Sequence, residues 1–103
     1  MRSFDTVIAG GTVVDGTPAA TPTTGDVGIR DGVIVEIGDL GSAGRETTID
    51  ATGRVVAPGF IDTHTHIEMA ALTGHDDGLA AVRQGVTTTL VGADGFGWVG
   101  LRP

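Results

Sequence analysis

The chain contains no cysteine and no lysine among its 103 residues. The first absence excludes disulfides and a thiol nucleophile within this segment. The second leaves arginine as the only fixed cation, and Lys+Arg totals 6 against 13 acids, for a net charge of −7. Nucleic acid and anionic membrane surfaces need clustered cations, so neither is an expected partner. The acids are scattered, with no block longer than Asp76-Asp77, so there is no acidic tail. No apolar run approaches the roughly 18 residues of a membrane span. The apolar stretch after Met1-Arg2-Ser3-Phe4-Asp5 is interrupted at Gly10-Gly11, and no signal peptide is visible. A soluble, cytoplasmic protein is the expectation.

Glycine is abundant, at 18 residues, well above the average of about 7%. The glycines punctuate apolar runs, where turns need positive φ. Thr6-Val7-Ile8-Ala9 reads as a strand, Gly10-Gly11 as a turn and Thr12-Val13-Val14 as the partner strand. Thr17 to Gly25 reads as a loop. Asp26–Arg30 and Val33–Ile37 flank Asp31-Gly32, the strongest short hairpin signal, because a type I′ turn takes positive φ at both positions. Gly38 to Gly44 reads as a loop and Thr47–Asp50 as a further strand. Residues 1–56 are thus expected to form a small antiparallel sheet, part of a β-sandwich, serving as scaffold. From residue 57 the texture changes. Residues 59–66 read as one strand, and Asp76 to Gln84 as a short helix with Gly85 as its C-cap and Leu79, Ala80 and Val82 as its apolar contacts. Val86 to Val91 reads as the next strand. Strand, helix and strand in that order predict a βαβ unit with parallel strands.

The chemistry concentrates at the end of the 59–66 run, Gly-Phe-Ile-Asp-Thr-His-Thr-His. On a strand, positions two apart share a face. That places Asp62, His64, His66 and Glu68 together, with two neutral imidazoles able to share a divalent metal. Four titratable groups on one face are costly in an apolar core unless paired, hydrated or bound to a cation. The alternative is a solvent-exposed face whose histidines do nothing. Asp94 follows the next strand, and strand topology puts it at the same end as the histidines. It reads either as a third ligand or as a turn residue before Gly95. His75 with Asp76-Asp77 reads as the start of a helix. Gly92-x-x-Gly95-x-Gly97 lacks the order of a phosphate-binding loop. Phe96 and Trp98 either line a pocket or pack.

The string Val55-Val56-Ala57-Pro58-Gly59-Phe60-Ile61-Asp62-Thr63-His64-Thr65-His66 closely resembles the first barrel strand of the amidohydrolase superfamily. Gln84–Thr88 and Val91–Gly95 resemble its N-acyl-D-amino-acid deacylase (D-aminoacylase) branch. The resemblance implies an α/β protein: an N-terminal antiparallel β-subdomain over residues 1–56, then, over 57–103, the start of a TIM-like (β/α)8 barrel with its site at the C-terminal ends of the strands. Such a barrel takes about 250 residues, so this chain is expected to be the N-terminal part of a longer enzyme and inactive alone. The resemblance further implies zinc or another divalent metal as cofactor, held by His64, His66 and Asp94. In the D-aminoacylase pattern a cysteine stands at the place of Asp94, while a related subgroup carries Asp. An acid at Glu68 is similar to the deacylases, where dihydroorotases carry Arg, and Glu68 is a candidate for substrate binding or for support of the metal. The general-base aspartate and the remaining ligands are expected downstream. A bridging modified lysine of the kind some relatives use is absent.

The implied function is hydrolysis of a non-peptide C–N bond, that of N-acyl-D-amino acids, by a hydroxide generated on the metal. The implied partner is a small acylated amino acid, with homo-oligomerisation left open. The competing readings are a hydantoinase- or dihydroorotase-like cyclic amidase and a non-catalytic small β-domain.

Overall fold

Strand β1 runs unbroken over Ser3–Val13 in the computed structural model, which describes residues 3–74 and 79–95. This corrects the expected turn at Gly10-Gly11. Gly10 does take positive φ, +70°, but the chain continues, and the pairing with the next strand shifts register between Ile8 and Gly11. The two glycines therefore make a bulge, not a reversal. Two contacts hold it. The Asp26 carboxylate accepts the Gly10 N–H at 2.8 Å, and Ala51 donates its N–H to the Ala9 carbonyl at 2.8 Å.

The chain divides into two units, Met1–Pro58 and Gly59–Pro103. The first is a five-stranded sheet of β1, β2 (Thr23–Arg30), β3 (Val33–Gly38), β4 (Gly44–Asp50) and β5 (Val55–Val56). The order is β3-β2-β1-β4, with β5 also paired to β1. The β1–β2 and β2–β3 pairs are antiparallel. The Asp31-Gly32 turn between β2 and β3 has φ of 52° and 75°, as the type I′ reading requires. The β4 and β5 pairings with β1 are parallel, so the sheet is mixed rather than purely antiparallel. The cause lies in the connection after β3, which crosses over to the far edge of β1 and brings Leu40 onto Phe4 and Val7.

Phe4, Val7 and Leu40 form the buried cluster, with Ala9 and Ala43 against it. Gly28 makes room for it, since a Cβ there would lie 2.5 Å from the Phe4 ring. The charges around the cluster are structural. Arg30 donates from Nε and Nη2 to the Ser3 carbonyl, at 2.8 and 2.6 Å, and its guanidinium carbon sits 5.6 Å from the Phe4 ring centroid. Arg45 donates to the carbonyls of Leu40, Gly41 and Ala43, closing the crossover loop.

The second unit comprises β6 (Phe60–Asp62), α1 (Ile67–Thr73), α2 (Leu79–Arg83), β7 (Val86–Thr89) and a 3₁₀ turn at Ala93–Gly95. As the βαβ reading requires, β6 and β7 are parallel. Gly59 is demanded by that pairing, because a Cβ would collide with the Thr87 side chain. Gly85 ends α2 with φ +85° and donates its N–H to the Val82 carbonyl at 2.9 Å. The apolar face expected of α2 is not buried among the described residues: Leu79 and Val82 are 46% and 62% exposed, and no residue of the helix is buried. The expected helix start at Asp76-Asp77, together with His75, Phe96 and Trp98, lies outside the described residues. Among the described residues, no helix is long and apolar enough to cross a membrane.

Candidate metal centre

The strand that carries the site is shorter than the sequence pattern predicts. It ends at Asp62 because the Asp62 side chain accepts the His64 N–H at 3.1 Å, a local Asx turn that competes with continued extension. Two residues later the His66 carbonyl accepts the Met69 N–H at 3.0 Å and opens α1. His64 and His66 therefore do not share a strand face, and Glu68 belongs to the first helical turn. The predicted one-strand run over residues 59–66 is corrected on this point. The two histidines still meet, through the bend rather than the pleat, with ring centroids 5.6 Å apart and the rings edge to face.

Asp94 lies in the short 3₁₀ turn that follows β7. It sits in the left-handed region at φ 56°, ψ 22°, a conformation Asp adopts more readily than most residues. One carboxylate oxygen, Oδ2, lies 3.0 Å from His64 Nε2 and 3.7 Å from His66 Nε2. One donor atom from each of His64, His66 and Asp94 lies within 4.8 Å of the others, and all three residues are exposed. Zinc bound to nitrogen or oxygen at about 2.0–2.1 Å in a tetrahedron holds its ligand atoms about 3.3 Å apart. The two spacings from Asp94 bracket that value, and two imidazoles with a carboxylate are a donor set that zinc accepts. The chemistry of the cluster suits a divalent ion.

Glu68 lies beneath this cluster. It is 3% exposed. Its Oε1 accepts the Gly92 N–H at 3.3 Å and stands 3.9 Å from His66 Nδ1. Its Oε2 is buried without a hydrogen-bond partner among the described residues. The sequence reading missed two features of this support: helix α1 and the Gly92 amide. The run Glu68-Met69-Ala70-Ala71-Leu72 closed by Gly74 carries the signal for the helix, since these are good helix formers and Gly74 has φ +67°. Nothing local signals the role of a glycine amide 24 residues away.

Comparison with known proteins places this geometry in context. Residues 47–102 match the profile of the Amidohydrolase family. A D-aminoacylase from Alcaligenes xylosoxydans xylosoxydans is 45% identical over 96 residues, covering 92% of this chain and 19% of that protein. A solved D-aminoacylase structure concerned with a binuclear metal centre superposes with a TM-score of 0.75 at 44% identity, covering 86% of this chain and 18% of the other. N-acyl-D-glutamate deacylase from Bordetella bronchiseptica, solved with zinc and a phosphonate mimic of the tetrahedral intermediate, superposes with a TM-score of 0.75 at 40% identity. That match covers 88% of this chain and 19% of the other. The chain thus spans about a fifth of the length of these relatives.

Proposed function

The chain belongs to the amidohydrolase family, and from that premise we propose that it carries the first ligands of the metal centre of an N-acyl-D-amino-acid deacylase. The observation that carries the reading is the convergence of His64, His66 and Asp94 on one small volume. The hydrolysis itself is proposed for a polypeptide of the relatives' length that contains this segment. In the same reading, the parallel β6–β7 pair begins a (β/α)8 barrel, whose sites gather at the C-terminal ends of the strands. The ligand triad follows β6 and β7 at that end.

His64, His66 and Asp94 would hold a divalent metal, zinc by the chemistry of the donors. A metal so held supplies Lewis acidity for a carbonyl oxygen and acidifies a water molecule. The chain's own contribution is placement. The Asp62 Asx turn places His64, the start of α1 places His66, and the 3₁₀ turn after β7 carries Asp94. Exposure of all three lets a small acylated amino acid approach from solvent. The deacylase reading is preferred over a cyclic amidase because the similar proteins described above act as D-aminoacylase or N-acyl-D-glutamate deacylase, and because position 68 holds an acid.

Metal content by plasma mass spectrometry tests the site directly. The wild-type chain should retain zinc after dialysis, and the His64→Ala/His66→Ala double variant should lose it. Equal content in both overturns the assignment. Turnover of N-acetyl-D-amino acids against their L-enantiomers, measured in the longer polypeptide, tests the substrate class.

A further inference from the structure

We propose that Glu68 is a positioning residue: its buried carboxylate tethers the Gly92–Gly95 turn and so sets Asp94 opposite the histidine pair. The inference rests on the metal reading above and specifies how the third ligand is held in place. The turn needs a tether. Gly92, Asp94 and Gly95 all take positive φ, at 84°, 56° and 77°, and its two glycines have little conformational preference of their own. The Asp94 side chain is 65% exposed, and among the described residues its contacts are to His64 and His66. Left to itself, such a turn would present its carboxylate over a wide range of positions.

Glu68 supplies what the turn lacks. It is held in the first turn of α1, two residues after His66, whose carbonyl opens that helix. The same short segment thus carries one proposed ligand and the acceptor for the Gly92 N–H at 3.3 Å. The 3.9 Å separation from His66 Nδ1 is beyond hydrogen-bond reach, so the hydrogen bond that this carboxylate oxygen accepts comes from the turn. A leucine would fill this space without stranding a buried oxygen. Among the described residues the Glu68 Oε2 has no hydrogen-bond partner, a costly arrangement that packing alone does not explain.

The test is a Co2+ titration followed by visible absorption in the wild-type protein and in the Glu68→Gln, Glu68→Leu, Asp94→Asn and Glu68→Leu/Asp94→Asn variants. Glu68→Gln keeps an acceptor for Gly92 and should hold affinity within about threefold. Glu68→Leu removes it and should weaken binding about tenfold, the usual scale for losing a partner that orients a metal ligand. In the Asp94→Asn background the same leucine should cost less than about twofold, because the tether then has no ligand to place. Equal losses for Gln and Leu, equal losses in both backgrounds, or no loss for Leu each overturn the proposal. Amide hydrogen exchange at Gly92 in the metal-free wild type provides a second decision that survives a misfolded leucine variant. Protection supports the tether, and exchange at the free-loop rate refutes it. A wild type that takes up no Co2+ sinks the metal reading, and Gly92 exchange still decides whether Glu68 holds the turn.

Discussion

In the unit Met1–Pro58 the apolar side chains removed from water are Phe4, Val7, Val13, Val27, Leu40 and Ala51, whereas in Gly59–Pro103 the one described side chain so removed is the carboxylate of Glu68. Phe60, Ile61, Val82 and Leu90 of the second unit are all more than half exposed. The first unit is therefore held by apolar packing around Phe4. Among its described residues the second shows the β6–β7 ladder and polar contacts at Asp62, Glu68 and Asp94 in place of such packing. Ligand-binding segments are commonly drawn from the less stable parts of a protein, and the candidate metal centre sits in the unit whose described residues bury less apolar surface.

Phe4→Ala should separate the two most sharply. It removes a ring at 2% exposure, for which truncation costs about 3–5 kcal/mol. Segment-resolved hydrogen exchange should show β1, β2 and β4 opening while the β6–β7 ladder keeps its rates. Equal acceleration in both units would break the contrast.

Zinc should act in the opposite place. At a hundredfold excess over its dissociation constant, a ligand that binds only the folded state stabilises it by about 2.7 kcal/mol. Amides from Asp62 to Glu68 and at Gly92 should slow about a hundredfold in exchange, and those of β1 should not change. Slowing confined to the first unit would put the metal elsewhere.

Asp26 tests the polar bracing of the first unit. Its two oxygens accept the N–H groups of Gly10 and Leu40 at 2.8 and 2.9 Å. The Gly10 bond and then the Leu40 bond hold its carboxyl below the usual carboxylate range, against a smaller opposing effect of burial. Because the folded-state value is depressed, this stability is fully present above about pH 4. It is lost as pH falls from there through the lower folded value. Asp26→Ala should cost about 2 kcal/mol at pH 7, and the gap to wild type should narrow below pH 4. A gap constant from pH 7 to pH 3 would show that these bonds do not set the titration.

Local signals in this sequence were legible and non-local ones were not. Asp31-Gly32 and Gly85 act through their own φ, and both turns stand where the pattern puts them. The parallel pairing of β4 depends on which way the chain crosses after Gly38, and no residue in that loop states it. The residue types of the histidine pair were readable, but their placement was derived from a strand pleat that Asp62 interrupts. The burial of Glu68 depends on a backbone amide at Gly92, so alternation of polar and apolar residues could only put it on a face.

The smallest expected effect belongs to the exposed apolar surface of the second unit, and it tests the contrast from the other side. Phe60 is 65% exposed, and its ring lies near Gly85, 3.4 Å from where a Cβ would stand. Burial is worth roughly 25 cal/mol per Å² of apolar area removed from water, so a ring left mostly in solvent contributes little. Phe60→Ala should shift the stability of the β6–β7 ladder by less than about 1 kcal/mol, a fraction of the Phe4→Ala effect for the same change of residue. The check is the same exchange experiment on both alanine variants, at two protein concentrations. A cost for Phe60→Ala above about 2 kcal/mol would mean that the ring is covered in solution. If that cost grew with concentration, a second copy of the chain would be the cover, and the second unit would then be stabilised by association rather than by its own core.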